Sequence, residues 1–249
     1  MIGYIFAIGG GNDLDINIFR KMVDKSRNNR VLLITDASTY AFTNHSKKAT
    51  EYFTFFDKIK VSKIKIGKVK SPDELVKQIY SNGIVYFTGG HQSHLLYHVN
   101  KFKNKFDIDL RMILSQYLMK GGIVGGTSAG ASILGTLMPT GKTSGKRKYN
   151  YYVGDKKLST SVQKVEHALG LVPYIIDQHF TENNRHERGM GMAIDNRMRL
   201  VGIDENTAFY QKFNSNRMYT IGPNKVTIYD GGNAKFNVDG KKIYVTGVM

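Results

Sequence analysis

The residues with the clearest chemical potential lie in the segment GGTSAGAS, residues 125–132. Gly126 and Gly130 flank Ser128 there in the G-x-S-x-G spacing, which is typical of a sharp turn from a strand into a helix that exposes a serine hydroxyl. Larger side chains would collide with the adjacent helix and strand, and the apolar pair Ile123–Val124 predicts that strand. Such a turn also occurs for packing reasons alone, so Ser128 is a candidate nucleophile only if a base lies beside it.

Seven histidines are candidates for that base. His179 is best placed because the apolar run Tyr174–Ile176 predicts a strand, and His179 follows its carboxyl end, where open α/β sheets put their sites. A histidine with a purely structural role at a strand end is the alternative. The chain contains no cysteine, which excludes thiolate catalysis, disulfides and cysteine metal sites.

Strand-like runs alternate with amphipathic helical patterns through the first part of the sequence, from GYIFAI to IVYFTGG. The continuous apolar runs Val31–Ile34 and Ile84–Phe87 indicate strands that helices cover on both faces. The sequence therefore predicts a single α/β domain over residues 1–249, a three-layer sandwich with a mainly parallel sheet. Residues 207–249 change to short strands separated by turn residues, which predicts a small antiparallel extension appended to the core. Residues 139–163 show no clear periodicity and are expected to form a long loop.

Lysine and arginine outnumber aspartate and glutamate by 36 to 20, and the formal net charge of +16 makes an anionic partner such as nucleic acid worth considering. The lysines are spread thinly, however. Those between Lys58 and Lys70 alternate with isoleucine and valine, a pattern typical of a sheet edge with one solvated face. We therefore expect no nucleic-acid partner. No apolar run is long enough to span a membrane and the N-terminus lacks the features of a signal peptide, so we expect no membrane partner and a cytoplasmic location.

Two further patterns could hold a metal or a cofactor. His91, His94 and His98 would share one side of a helix, but no carboxylate accompanies them, so surface histidines are favoured over a metal site. The glycine-rich turn IGGGND lacks the G-x-G-x-x-G spacing of a dinucleotide site, and Gly9–Gly11 are interpreted as turn residues at the edge of a cleft. We expect neither a metal nor a cofactor.

Four motifs in order along the chain carry a family resemblance: FTGGHQ, GGTSAGA, IDQHF and GIDENTA. Together with IGGGND they make the sequence, from residue 8 to about residue 208, resemble the cyanophycinase and peptidase E (aspartyl dipeptidase) family of serine peptidases. The resemblance implies a class I glutamine amidotransferase-like fold, with Ser128 as the nucleophile and His179 as the general base. An oxyanion hole is expected from the backbone N–H groups of Gly90 and Ala129.

The same resemblance places the acidic third member of the triad between the serine and the histidine. This segment contains few acids, notably Asp155 and Glu166. Asp155 is preferred because it lies about where the resemblance puts the acid, whereas Glu166 fits a solvent-facing position on a helical turn. Asp204 and Glu205 in GIDENTA follow the predicted strand Leu200–Ile203 and are expected to serve a structural turn.

Family members favour aspartyl peptide bonds, so the resemblance implies cations in the substrate pocket. Arg185 and Arg188 follow His179 closely and are three residues apart, on neighbouring faces of a predicted helix. Their planar guanidinium groups suit a carboxylate, although exposed arginines paired to nearby glutamates are the alternative. Gln92 and Gln178 are candidate amide donors to a bound peptide.

These features predict a serine peptidase that hydrolyses short aspartyl-containing peptides through a Ser-His-Asp/Glu triad and an acyl-enzyme. Its partner would be a small peptide substrate, and the sequence is compatible with a homodimer. The alternative is a catalytically silent member of the fold that binds peptides or small molecules. His91 and Asn183 depart from the family pattern in the expected pocket, which leaves open whether β-aspartyl-arginine is the substrate.

Overall fold

The computed structural model describes residues 1–38, 44–153 and 156–231, with the backbone alone over 141–153 and 156–162. Its helices are α1 (Ile16–Lys25), α2 (Asn44–Thr54), α3 (Pro72–Ser81), α4 (Gln92–Phe106), α5 (Leu110–Met119), α6 (Ala129–Ser132) and α7 (His186–Asp195), with a 3-10 turn at Ile66–Lys68. Its strands are β1 (Tyr4–Ile8), β2 (Arg30–Ile34), β3 (Lys60–Ile64), β4 (Ile84–Phe87), β5 (Ile123–Thr127), β6 (Gly135–Val153), β7 (Lys156–His167), β8 (Val172–Gln178), β9 (Arg199–Ile203), β10 (Ala208–Lys212), β11 (Met218–Ile221) and β12 (Val226–Asp230).

The central sheet has the strand order β11-β10-β1-β5-β4-β2-β3. The strands from β1 to β3 in that order run parallel, while β10 and β11 are antiparallel to their neighbours. Helices α1 and α2 bury apolar side chains against one face, and α3, α4 and α5 bury theirs against the other. This arrangement confirms the predicted three-layer α/β sandwich with a mainly parallel sheet.

The two apolar runs that predicted central strands, Val31–Ile34 in β2 and Ile84–Phe87 in β4, are fully buried. They can be continuous because helices cover both faces of these strands. The start of α3 is set by local chemistry: Ser71 accepts a hydrogen bond from the N–H of Glu74, and Pro72 occupies the first turn.

Strand β3 lies at one edge of the central sheet. Lys60 and Lys63 on this strand are exposed, which confirms the predicted solvated sheet edge over Lys60–Ile64. Charged side chains at such a position also disfavour pairing with a strand from another molecule. The rest of the alternating pattern does not continue the strand, because a 3-10 turn follows at Ile66–Lys68.

A second sheet has the order β12-β9-β8-β6-β7. Its longest pairing is the antiparallel ribbon of β6 and β7, which corrects the expectation of a long loop over residues 139–163. The sequence does not predict this ribbon, because a strand is recognised by a two-residue alternation of apolar and polar side chains. The segment GKTSGKRK has no such alternation. Shifts in register between Pro139 and Lys148 mark the irregular part of this pairing.

The strands that follow residue 207 divide between the two sheets. Strand β10 pairs with β1 and carries β11 outward from the central sheet, whereas β12 pairs with β9 in the second sheet. The last predicted strand, KKIYVTG, lies outside the described residues.

The turn after β1 joins the carboxyl ends of several strands through backbone hydrogen bonds. The N–H of Ser128 donates to Ile8 O at 3.0 Å, and the N–H of His179 donates to Gly9 O at 2.8 Å. The N–H of Asn206 donates to Gly10 O at 2.9 Å. Because these residues follow β5, β8 and a turn after β9, this single turn holds the rims of both sheets together.

Candidate active site

Ser128 stands at the sharp turn between β5 and α6. Its backbone has φ 54° and ψ −118°, an unusual conformation for a residue other than glycine. A Cβ on Gly126 would lie 2.1 Å from Gly130 O, and one on Gly130 would lie 2.1 Å from Phe87 O. Both glycines are therefore required by close backbone contacts, as the G-x-S-x-G spacing predicted.

His179 follows β8 directly and meets Ser128 at the junction of the two sheets. The distance from Ser128 Oγ to His179 Nε2 is 2.9 Å, within the range of a hydrogen bond between a nucleophile and its base. Gly10 makes room for the imidazole, since a Cβ at that position would lie 2.3 Å from His179 Cε1. Strands β5 and β8 belong to different sheets, whose ends converge here.

The other ring nitrogen of His179 contacts an acid that the sequence reasoning assigned to a turn. His179 Nδ1 lies 2.5 Å from Glu205 Oε1. The backbone of Glu205 is anchored on both sides, because its N–H donates to Glu182 Oε1 at 3.0 Å and its carbonyl accepts from Asn224 Nδ2 at 2.9 Å. Glu205 therefore contacts His179 in addition to lying in the turn that the sequence predicted.

The pairing of β8 with β9 explains how Glu205 reaches the histidine. The two strands are parallel, with Gln178 opposite Ile203, so the residues just beyond them lie side by side. This adjacency is the signal that could have identified Glu205. Asp204 does have the expected structural role, since its carboxylate accepts from the N–H groups of Thr181 and Lys225.

Neither Asp155 nor Glu166, the two acids considered from the sequence, is among the residues shown to contact His179. Asp155 falls outside the described residues and stays a prediction. Glu166 lies on strand β7 rather than on the expected helical turn, and its carboxylate is 3.2 Å from Lys164 Nζ. A partly exposed ion pair of this kind gives Glu166 a partner away from His179.

Gln178 and Gln92 form a hydrogen-bonded chain beside the serine. Ser128 Oγ is 3.5 Å from Gln178 Oε1, and Gln178 Nε2 donates to Gln92 Oε1 at 3.1 Å. Gln92 Nε2 in turn donates to the carbonyl of Pro139. These contacts bring both amides close to Ser128, while their role in substrate binding stays a prediction.

Arg185 and Arg188 converge on one buried carboxylate. Asp177 has a fully buried side chain and accepts from Arg185 Nη1 at 3.0 Å. Arg188 binds the same carboxylate with Nε and Nη2 at 2.7 to 2.9 Å. Both guanidinium groups thus have an intramolecular anion as their partner, and their role as substrate clamps stays a prediction.

The glycine turn after β4 lies next to Ser128. A Cβ on Gly89 would lie 3.4 Å from Ser128 Cβ. Gly90 has φ 136°, and a Cβ there would lie 2.2 Å from Ala37 O, so only glycine fits. The position is compatible with an oxyanion hole built from Gly90 and Ala129, which stays a prediction.

A cavity of about 190 Å³ opens at these residues, lined among others by Ser128, His179 and Glu205. Helix α2 contributes His45 and Lys48 to the same lining. Burial lowers the pKa of His45 below its ordinary value, and electrostatic interaction with Lys48 and His179 lowers that pKa further. His45 is therefore neutral near pH 7, and Lys48 supplies a positive charge to the cavity.

Comparison with protein families finds a match to the model of Peptidase family S51 over residues 5–215, which include every residue of the cavity. The chain belongs to peptidase family S51. It is a serine-type peptidase, as the sequence predicted.

Curated relatives of this S51 peptidase are cyanophycinases. It is 28% identical over 223 residues to the cyanophycinase of Geminocystis herdmanii, an alignment that covers 83% of this chain and 74% of the relative. It is 27% identical over 188 residues to the cyanophycinase of Nostoc sp., which covers 72% of this chain and 57% of that protein. The S51 peptidase thus spans little more than half the length of the second relative.

Solved structures share the fold of this S51 peptidase. A peptidase from an acI-B1 Actinobacterium superposes with a TM-score of 0.65 at 18% identity, covering 93% of this chain and 92% of the other. A peptidase E protein from Listeria monocytogenes superposes with a TM-score of 0.60 at 16% identity, and the superposition covers 90% of this chain and 100% of the other.

Neither a membrane-spanning helix nor a metal cluster occurs among the described residues of the S51 peptidase. No helix among residues 1–38, 44–153 and 156–231 is long and apolar enough to cross a membrane. No group of three metal-ligating side chains was found in the same part of the chain. His94 instead contacts the backbone carbonyl of Asp36 through Nδ1 at 2.7 Å, and its Nε2 lies 3.3 Å from His98 Nε2.

Proposed function

We propose that this S51 peptidase hydrolyses short aspartyl-containing peptides with Ser128 as nucleophile, His179 as general base and Glu205 as the acid that orients the histidine. One observation carries the proposal. Two hydrogen bonds run in series, from Ser128 Oγ to His179 Nε2 at 2.9 Å and from His179 Nδ1 to Glu205 Oε1 at 2.5 Å. A weakly acidic hydroxyl becomes a nucleophile only when a base oriented in this way can take its proton.

The reaction has two acyl-transfer steps. Ser128 Oγ attacks the scissile carbonyl carbon while its proton passes to His179 Nε2, and the N–H groups of Gly90 and Ala129 bind the resulting oxyanion. The carbon–nitrogen bond then breaks, and His179 gives the proton to the leaving amine. Water attacks the acyl-enzyme with His179 again as base, which releases the carboxylic acid and restores the serine.

Glu205 acts through the histidine and does not move a proton itself. Its carboxylate keeps the proton of the neutral imidazole on Nδ1, so that Nε2 presents a lone pair to the hydroxyl. When His179 becomes an imidazolium, the same carboxylate stabilises the new positive charge. Glu205 thereby fills the position that the resemblance had assigned to Asp155.

The size of the cavity and the names of the relatives support a small aspartyl substrate. The cavity of about 190 Å³ is small beside typical ligand pockets of roughly 300–1,000 Å³, so it suits one or two residues of a peptide. The relatives are named as cyanophycinases, and one structural neighbour is named as a peptidase E. A cytoplasmic location and a homodimer stay predictions.

The proposal is tested with a panel of α- and β-linked aspartyl dipeptides and with a fluorophosphonate probe. The wild-type protein should hydrolyse at least one dipeptide and take up the probe at Ser128. Ser128→Ala should reduce kcat by about 10⁴-fold or more while thermal unfolding stays the same. Turnover that survives in Ser128→Ala contradicts the assignment, and a wild-type protein that neither hydrolyses nor labels supports the silent binding alternative.

A further inference from the structure

One face of helix α2 points into the cavity that contains the nucleophile. His45, Lys48, Ala49 and Tyr52 all line this cavity. Their spacing of three, four and seven residues from His45 places them on a single side of a helix. Lys47, one position before Lys48, lies outside this face: its side chain is 77% exposed and its Nζ lies 3.9 Å from Glu51 Oε1.

The ammonium group of Lys48 contacts neutral acceptors. Its Nζ is 3.3 Å from both the carbonyl oxygen and the side-chain Oδ1 of Asn12, slightly longer than the usual range for hydrogen bonds. No carboxylate lies within 4.0 Å of Lys48 in the part of the chain that the structure describes. The loop that contains Asn12 is also held in place without Lys48. Tyr52 Oη donates to Asn12 O at 2.9 Å and accepts from the N–H of Leu14 at 3.0 Å.

No other ionisable group among the described residues that line the cavity neutralises the positive charge of Lys48. Glu205 is the one carboxylate among the described lining residues, and it is hydrogen-bonded to His179. His45 is neutral near pH 7, because burial and electrostatic interaction with its neighbours lower its pKa. A partly enclosed cation without a carboxylate partner attracts an anionic ligand group more strongly than a fully solvated one does.

We infer that Lys48 determines the specificity of this peptidase by binding a carboxylate on the residue that supplies the scissile carbonyl. The inference rests on the proposed function of the same cavity. Lys48 and Ser128 line one small cavity, so the inference places the group that contacts Lys48 and the carbonyl that contacts Ser128 on the same residue of the substrate. That carboxylate is the side chain of an α-linked aspartyl residue or the α-carboxylate of a β-linked one.

A merely structural role for Lys48 makes a different prediction. A lysine that only held the Asn12 loop would, when removed, weaken the turnover of every substrate alike. A lysine that binds a substrate carboxylate affects only substrates that carry the charge. Pairs of substrates that differ by one carboxylate therefore separate the two roles.

The kinetic test compares Lys48→Met with Lys47→Met. The substrates are aspartyl and asparaginyl p-nitroanilides, together with β-linked aspartyl p-nitroanilide and its α-carboxamide. We expect Lys48→Met to lower kcat/KM for the carboxylate member of the cleaved pair by about 10- to 100-fold, the usual worth of a hydrogen bond to a charged group, and to leave the amide member nearly unchanged. Lys47→Met should retain wild-type selectivity, and Lys48→Arg should restore most of it.

A binding test is independent of turnover. In the Ser128→Ala background, calorimetry with N-acetylaspartate and N-acetylasparagine measures the preference for the charged ligand, which Lys48→Met should abolish. Equal losses on both members of a substrate pair, or an unchanged preference in the Lys48→Met variant, overturn the inference while the proposed triad stands. If the wild-type protein cleaves nothing, the proposed function fails, and the calorimetric preference alone decides the role of Lys48.

Discussion

Replacing Glu205 by glutamine changes one charge at the end of the hydrogen-bonded series that reaches Ser128. The amide has nearly the same shape, but its NH2 group can face His179 Nδ1, which is 2.5 Å from the present carboxylate. The ring proton then moves to Nε2, the atom 2.9 Å from Ser128 Oγ, and the imidazole can no longer accept the proton of the hydroxyl.

The substitution should lower kcat, and the size of the loss depends on which way the new side-chain amide faces. With the NH2 group toward Nδ1, the wrong tautomer should reduce kcat by about 10⁴-fold. With the carbonyl oxygen toward Nδ1 the tautomer is kept, and the loss falls toward about 10²-fold because only the charge on the imidazolium is left uncompensated. The side chain of Glu205 is 35% exposed, so both orientations are accessible.

The assay measures steady-state kinetics on the best dipeptide and the rate of fluorophosphonate labelling at Ser128. Glu187→Gln, an exposed glutamate on α7, is the matched control and should behave as wild type. Asp155→Asn is the competing variant. A loss below tenfold in Glu205→Gln, combined with a large loss in Asp155→Asn, would refute the assignment of Glu205.

Three further substitutions probe the frame around the site. Gly10→Ala should lower kcat/KM by about 100-fold, because the new methyl group meets the His179 ring. It should also lower the free energy of unfolding by about 1 kcal/mol or more, because φ is +100° at this position. Steady-state kinetics measure the first effect and thermal unfolding the second. Asp177→Ala should cost about 3–5 kcal/mol in denaturant unfolding, because it leaves two arginines without their buried partner. Asp204→Ala should lower stability by roughly 1–3 kcal/mol, because it strips two backbone N–H groups of their acceptor, and a wild-type unfolding midpoint would contradict that role.

The parts of the site that could be predicted from the sequence depend on neighbouring residues. The elbow at Ser128 follows from glycines within two positions of it, and His179 follows from the apolar strand that precedes it. Glu205 could not be found in this way, because its position depends on the pairing of β8 with β9, which no local pattern encodes. Long-range strand pairing is thus the physical reason why the contact between Glu205 and His179 was not predicted.

Asp177, the anion that pairs with Arg185 and Arg188, could have been identified from the sequence. Asp177 directly follows the apolar residues Ile175 and Ile176 of the predicted strand, and a carboxylate buried in such a strand needs a partner such as a cation. Arg185 and Arg188 are the nearest cations that follow it along the chain. This requirement already favoured an internal ion pair for both guanidinium groups.

The turn at Gly9 and Gly10 has an evolutionary consequence. Backbone atoms, not side chains, tie Ile8 to Ser128, Gly9 to His179 and Gly10 to Asn206, the residue after Glu205. Main-chain bonds of this kind do not depend on which side chains surround them. Lineages can therefore exchange most of the residues around the cleft, and lengthen the loops that lead to it, while the reacting atoms keep their spacing.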